Sequence, residues 1–289
     1  MTSSSTLSPV SRSSPPLSPL GEQVRRFDRD RFITTLMAPP ARREALFALY
    51  AFNIEVARIA ELVREPLLGR IRLQWWRDSL ASVSAGGRPP SPIMAALADA
   101  MAACGLDLSR LDRILDTHEA DFAPEPPADL RALTDYAAGT SGVLARLAFD
   151  LLGGGRAGEA AESLGTGWGL TGLLRAVPFH ASLGRLYLPA GMLASAGVDA
   201  ARVLAGQGDP GLAGVARRIA AEARAHLAPA RRHRRDIPRD ALAAMLTGPL
   251  ADGYLNALAR QGYNLFAPGW GRLSPRPLRL LWHRFTGGY

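Results

Sequence analysis

Two aspartates, Asp112 and Asp116, stand four residues apart in a stretch predicted to be helical, residues 108–122. Side chains at this spacing share one face of a helix, so a pair of carboxylates could hold a divalent cation there. Other charged residues of the stretch, among them His118, Glu119 and Asp121, are spread around the helix. Because the charges are not gathered on one side, we expect a solvated helix face here and not a metal site.

Arginine supplies all 34 basic side chains of the sequence, which has 26 acidic ones and a formal net charge of +8. A guanidinium stays ionised and can donate two parallel hydrogen bonds to a phosphate or carboxylate group. The basic balance therefore fits nucleic acid, a diphosphate or an anionic membrane surface, although the nucleotide composition of the genome would also produce an all-arginine set. The densest basic run, residues 224–235, has neither interleaved aromatic residues nor a recognisable reading element, so we predict no nucleic-acid binding.

Aromatic residues mark two further candidate surfaces. The adjacent Trp75 and Trp76 must face different directions on a helix, so we expect one in the core and the other on a cavity or a partner surface. The basic, aromatic segment 277–285 is typical of a helix that lies in a membrane interface, and it could equally cap a helical bundle.

Other classes of site find little support. Cys104 is the single cysteine, so an intrachain disulfide or a cysteine-based zinc site is ruled out, and we expect a reducing, cytoplasmic compartment. The sequence contains no Gly-x-Ser-x-Gly elbow, so nothing favours a hydrolase. No apolar run reaches the roughly 18 residues of a spanning helix, which predicts a soluble or peripheral protein.

Helices must position all of these side chains. Apolar residues recur at three- and four-residue steps, and prolines and glycines divide the chain between them. The predicted helices are 40–65, 67–82, 91–103, 108–122, 128–152, 157–178, 210–227 and 240–261. Alternating patterns rich in Val, Ile and Thr are absent, so we predict no sheet. The Ser/Pro-rich residues 1–20 do not resemble a secretory signal and are expected to be a disordered tail before one all-α domain, 21–289.

Several stretches, in order, resemble the squalene/phytoene synthase family. The main ones are 28–32 (Asp-Arg-Asp-Arg-Phe), 50–53 (Tyr-Ala-Phe-Asn) with Glu61, 139–142 (Gly-Thr-Ser-Gly), 169–175 (Gly-Leu-Thr-Gly-Leu-Leu-Arg) and 184–189 (Gly-Arg-Leu-Tyr-Leu-Pro). Residues 249–255 and 275–278 are similar to the ending of the family. The resemblance implies an isoprenoid synthase-like bundle of helices around a central cavity, in which two prenyl diphosphates are joined head to head.

The resemblance also implies two aspartate-rich motifs whose outer aspartates hold Mg²⁺ on the diphosphates. By position, those aspartates correspond here to Ala57 and Glu61 in the first motif and to Ala176 and His180 in the second. A methyl group cannot coordinate a cation, and an imidazole is a poor ligand for Mg²⁺. We therefore expect no metal and no cofactor, and only Glu61 remains as a candidate catalytic residue.

The residues that help to hold diphosphate in the family have counterparts in Arg175, Arg185 and Tyr187. Their presence without the metal ligands has two interpretations. The cavity can still bind a prenyl diphosphate or another anionic lipid, or the arginines can lock helices together, because a buried arginine needs partners.

Two functions fit these features. The first is a non-catalytic scaffold, similar to the branch of the family that includes the mitochondrial assembly factor for respiratory complex I; its partners would be complex I subunits or an anionic lipid. It would work in the cytoplasm or peripherally at the inner face of the cytoplasmic membrane. The alternative is an active squalene- or phytoene-forming prenyl transferase that uses Mg²⁺, with a metal site rebuilt from Glu61 and Glu55 together with Glu65 or Asp78.

Overall fold

Helices form the regular secondary structure of the computed structural model, which describes residues 17–107, 109–123 and 125–271. The helices are α1 (Pro19–Phe27), α2 (Arg29–Leu36), α3 (Pro40–Leu62), α4 (Pro66–Ser84), α5 (Pro92–Cys104), α6 (Ser109–His118), α7 (Leu130–Ala137), α8 (Val143–Leu151), α9 (Gly158–Ser182), α10 (Ala190–Ser195), α11 (Ala200–Leu204), α12 (Leu212–Arg232), α13 (Leu242–Met245) and α14 (Thr247–Arg260). No described residue lies in a strand, and the all-α prediction is confirmed. The 277–285 segment and most of the predicted tail lie outside the described residues.

The N-terminal helices α1 and α2 were not predicted from the sequence. Helix α1 begins at Pro19, two residues inside the expected tail, and the Ser18 side chain caps it by accepting a 3.0 Å hydrogen bond from the amide of Gly21. Asp28 caps α2 by accepting from the amide of Arg31 at 3.0 Å. These short polar helices are held by caps and tertiary contacts, so apolar periodicity gave no signal for them.

The two longest helices, α3 and α9, line a common cavity. Helix α3 ends at Leu62, three residues before its predicted end, because Pro66 keeps Glu65 in an extended conformation. Helix α9 continues past its predicted end at Pro178 to Ser182. Val177 and Ala181 are buried on either side of the proline, and this packing offsets the cost of the missing N–H.

Small residues let α9 run through the centre of the bundle. A Cβ on Gly165 would lie 2.5 Å from the carbonyl oxygen of Ser141, and one on Gly167 would lie 2.7 Å from that of Ala223 in α12. Helix backbones therefore approach α9 closely on two sides. The Gly-Thr-Ser-Gly stretch forms a single π turn, Ala138–Gly142, between α7 and α8.

The core is one continuous cluster of apolar side chains from most of the helices, including Phe52, Leu73, Leu115 and Phe149. In the described part of the chain, no helix combines the length and apolar character that crossing a bilayer requires.

Candidate functional site

A cavity of about 700 Å³ opens between α3 and α9. Charged residues are concentrated in its wall: Arg26, Asp28, Arg29, Asp30, Arg31, Glu61, Asp121 and Arg175. Tyr136, Trp168, Tyr187 and Tyr254 supply aromatic surface. The mixture of cationic, acidic and aromatic groups is suited to a ligand with an anionic head and an apolar body.

All four positions that correspond to the family's outer aspartates lie on the cavity wall. Ala57 and Glu61 are one turn apart on α3, and Ala176 and His180 are one turn apart on α9. Two of the four side chains end in methyl groups, one on each helix.

Glu61 is the single carboxylate among these four positions. Its side chain is 31% exposed and lies 3.7 Å from the Nε of Arg58. Partial burial raises the pKa of Glu61, and the positive charges of Arg58 and Arg185 oppose that rise. The carboxylate therefore already has cationic neighbours.

His180 is held as a neutral imidazole. Its ring centre lies 4.5 Å from that of Tyr187 and 5.8 Å from that of Phe179. Burial lowers the pKa of His180 to about 4, with Asp121 opposing the change and Arg185 adding to it. A neutral ring packed between aromatic side chains is a poor replacement for an aspartate that binds Mg²⁺.

This burial makes stability depend on pH. Because the pKa of His180 is lower in the folded than in the unfolded chain, unfolded protein binds more protons between pH 6.5 and 4, and stability falls as pH falls through that window. We expect His180 to account for a loss of about 2–3 kcal/mol. Denaturant unfolding at pH 7 and pH 4 checks this, since His180→Gln should lose that much less than wild type. Equal losses in the two proteins would show that His180 is not the cause.

Mg²⁺, which the family resemblance implies, does not fit the residues present. Hard Mg²⁺ takes several oxygen ligands in octahedral geometry, whereas these four positions offer one carboxylate, one neutral imidazole and two methyl groups. Elsewhere in the described residues, no three His, Cys, Asp or Glu side chains come together as a possible metal site.

Asp121 is buried and is the centre of a hydrogen-bond network. One carboxylate oxygen, Oδ1, accepts from the hydroxyls of Tyr136 at 2.8 Å and Tyr187 at 3.0 Å. The other, Oδ2, lies 2.7 Å from Nδ1 of His118. Burial alone would raise the pKa of Asp121, but His118 and the two tyrosine hydroxyls hold it below its ordinary value. The carboxylate is therefore kept ionised deep in the cavity wall.

The expectation of a solvated face on 108–122 was wrong for two residues. Asp112 and Asp116 are exposed as predicted, whereas His118 and Asp121 are 4% and 8% exposed. Asp121 lies seven residues after Ile114, and His118 lies four after it, so both continue the buried face of α6 into the turn Glu119–Phe122. The helical spacing of His118 and Asp121 from Ile114 indicated burial, but their charges indicated exposure.

His118 leaves one polar atom facing no partner. Its Nδ1 is taken by Asp121, and its buried Nε2 makes no hydrogen bond to any described residue. His118 also lines the cavity. A buried imidazole nitrogen of this kind is ready to bond a polar ligand group.

Arg175 lies on the cavity wall and also joins distant parts of the chain. Its Nη1 donates to Asp30 of α2 at 3.1 Å, and its Nε and Nη2 donate to the carbonyl of Gly271 at 3.3 and 3.2 Å. The guanidinium carbon lies 3.7 Å from the ring centre of Tyr254, whose hydroxyl also donates to Asp30. All three guanidinium nitrogens are therefore already occupied.

The other two residues carried over from the family lie near Asp121. Tyr187 lines the cavity, while the Nη1 of Arg185 donates to the Asp121 carbonyl at 2.8 Å. Two further arginines, to which no role was assigned from the sequence, also line the cavity: Arg26 and Arg29. Both are exposed, and neither forms an ion pair with a described residue. Their guanidinium groups are the ones available to an anion.

Comparison with known proteins agrees with this architecture. The family model described as squalene/phytoene synthase matches residues 24–284. The complex I assembly factor 6 of Bos taurus is 30% identical over 253 residues, which covers 87% of this chain and 76% of that protein. A presqualene diphosphate synthase of Rhodopseudomonas palustris is 31% identical over 195 residues, covering 66% of this chain and 69% of the relative.

Solved structures share the fold. A ligand-bound dehydrosqualene synthase superimposes with a TM-score of 0.79 over 92% of this chain and 94% of its own, at 20% identity. A squalene synthase from Alicyclobacillus acidocaldarius gives 0.73 over 85% of this chain and 93% of its own, also at 20% identity. The family-model match over residues 24–284 establishes that the chain belongs to the squalene/phytoene synthase family.

Proposed function

We propose that this chain is a non-catalytic member of the family that helps to assemble respiratory complex I. The observation that carries the proposal is the pair Ala57 and Ala176, which puts a methyl group on each of the two facing helices where the family has metal ligands. Relatives named as complex I assembly factor 6 cover most of the chain, which supports the same role.

Chemistry explains why this pair matters. Ionising an allylic diphosphate separates charge, and Mg²⁺ stabilises the leaving group. One lost ligand could be repaired by a neighbour, but a loss on both helices removes the bridge between the diphosphate and the protein. The remaining His180 stays neutral at physiological pH and is poorly suited to the task.

The alternative, an active prenyl transferase, would need other carboxylates around Glu61. Of the candidates, Glu55 lines a separate groove, and Asp78 is exposed and accepts from Gln74 at 2.8 Å. Glu65 is exposed between α3 and α4. Glu61 is the one of the four that lines the cavity, which favours the non-catalytic function.

We also propose that the cavity binds an anionic lipid or a prenyl diphosphate as a ligand and not as a substrate. Arg26 and Arg29 can neutralise phosphate charge without a metal, and His118 offers its unpartnered Nε2. The ligand would stabilise the folded scaffold by mass action. By the same proposal, the protein works peripherally at the inner face of the cytoplasmic membrane.

Deletion of the gene in the native host tests the assembly role. We expect fully assembled complex I on native gels, and NADH:quinone oxidoreductase activity, to fall several-fold while succinate dehydrogenase activity stays unchanged. Complementation with Glu61→Gln should restore both, because no metal chemistry is required. Normal complex I accompanied by loss of a squalene- or phytoene-like lipid would contradict the proposal.

A further inference from the structure

Helix α4 presents apolar side chains to solvent as well as to the core. Leu67, Leu68, Ile71 and Trp75 are 67%, 52%, 55% and 45% exposed, and Leu62, at the end of α3, is 58% exposed. These five residues are called the α4 patch. Large apolar side chains grouped within fourteen residues are unusual for a monomer surface and mark an interaction site.

The α4 residues of the patch form one continuous ridge. Leu67, Ile71 and Trp75 follow at four-residue steps along one side of α4, while Leu73 and Trp76 on the other side are buried. Leu62 and Trp75 line the same groove of about 330 Å³, which joins α3 to the ridge. The Trp76 ring packs edge-on against Phe52, 5.1 Å between centres, so the ridge is carried by a helix anchored in the core.

Arginines surround this ridge. Arg70 and Arg72 stand on either side of it, and Arg64 precedes it in the turn between α3 and α4; all three are exposed. Arg70 lies 3.6 Å from Glu119, whereas Arg64 and Arg72 make no ion pair with any described residue. Glu65 is the sole acidic residue between positions 62 and 75, which leaves the segment with net positive charge.

We propose that the α4 patch docks on an anionic lipid bilayer, with α4 lying in the plane of the interface. An apolar ridge flanked by arginines is the arrangement that binds such a surface, because the side chains enter the acyl boundary while the guanidinium groups meet lipid phosphates. The partly exposed Trp75 suits the boundary between headgroups and chains. This docking goes beyond the assembly role and does not depend on it.

Vesicle co-sedimentation of the full chain tests the docking. The probes are vesicles of phosphatidylcholine alone and vesicles in which about one third is phosphatidylglycerol. We expect the protein to bind the anionic vesicles and to be released by salt. Leu67→Ser with Ile71→Ser, and separately Arg64→Gln with Arg72→Gln, should each weaken that binding about tenfold or more. Leu36→Ser, an apolar residue of α2 that is 38% exposed outside the patch, should leave it unchanged.

A second readout follows the ridge itself. Brominated lipids should quench tryptophan fluorescence in the wild-type protein, and Trp75→Phe should remove most of that quenching. Failure of folded wild-type protein to bind anionic vesicles overturns the docking, as does binding that survives the patch substitutions. The patch would instead bind a second copy of the chain if light scattering showed a dimer, the Leu67 and Ile71 substitutions made it monomeric, and no vesicle binding was seen. The vesicle assay contains no complex I, so a negative result would count against membrane docking and not against the assembly role.

Discussion

Replacing Asp121 by alanine is expected to destabilise the protein by about 3–5 kcal/mol, enough to lower Tm by roughly 10 °C. The carboxylate accepts hydrogen bonds from Tyr136 and Tyr187 and pairs with His118; Asp121 and His118 are buried in the cavity wall, and the two tyrosines are partly buried there. Alanine would leave them without an acceptor, and an unsatisfied buried polar group costs about 1–3 kcal/mol. Thermal and denaturant unfolding measure the effect.

Two comparisons isolate the role of Asp121. Asp116→Ala removes an aspartate whose side chain is 68% exposed, and it should cost less than about 1 kcal/mol although it breaks a 2.8 Å pair with Arg77. The pH dependence should also differ. Because the pKa of Asp121 is lower in the folded chain, its stabilisation is present above the unfolded pKa of about 4 and is lost as pH falls below it. A cost for Asp121→Ala no larger than that for Asp116→Ala would contradict the network.

Arg175→Ala is expected to cost about 2–4 kcal/mol at pH 7. The guanidinium ties α9 to Asp30 and to the Gly271 carbonyl, and its loss would leave the 7%-exposed Asp30 without its cation. Tyr254 would remain as a donor to Asp30 but cannot neutralise its charge. Urea unfolding of the purified variant gives the free energy directly.

The size of the Arg175→Ala effect should grow with pH. Burial raises the pKa of Asp30, and Arg175 opposes that rise, so removing Arg175 should raise it further. Below that pKa the neutral acid tolerates burial, while above it the folded state must hold an unpaired charge. Arg175→Lys keeps the positive charge but loses the planar guanidinium that bonds Asp30 and Gly271 together, so we expect a loss of stability between those of wild type and Arg175→Ala. A defect that is the same at pH 5 and pH 8 would show that Asp30 is not the partner that matters.

Local patterns were enough to predict the long helices. The spacing of apolar residues found α3 and α4 to within three residues, and the adjacent tryptophans divide as expected, Trp76 in the core and Trp75 outside. Trp75 faces a groove and the surface, not the central cavity. Where tertiary packing overrides a local rule, as at Pro178, the sequence predicted a helix end that the chain does not have.

Long-range contacts explain what sequence reasoning missed. Arg175 and Asp30 are 145 residues apart, so their pairing has no local signal. The burial of Asp121 was missed for a different reason, because a charged residue on an amphipathic helix is expected to be exposed unless its hydrogen-bond partners, such as Tyr136, are known. The resemblance to the family named Arg175 and Tyr187 without indicating that each contacts a buried aspartate. The folded structure was needed to see that Arg26 and Arg29 line the cavity and form no ion pair with a described residue.

The most direct test of the central claim is to incubate the folded protein with farnesyl or geranylgeranyl diphosphate and Mg²⁺, and to follow diphosphate release together with lipid products. With Ala57 and Ala176 on the facing helices, we expect release no faster than the protein-free background, and the same result for Glu61→Gln. Mg²⁺-dependent release with a head-to-head product, lowered by orders of magnitude in Glu61→Gln, would contradict the account and establish an active prenyl transferase.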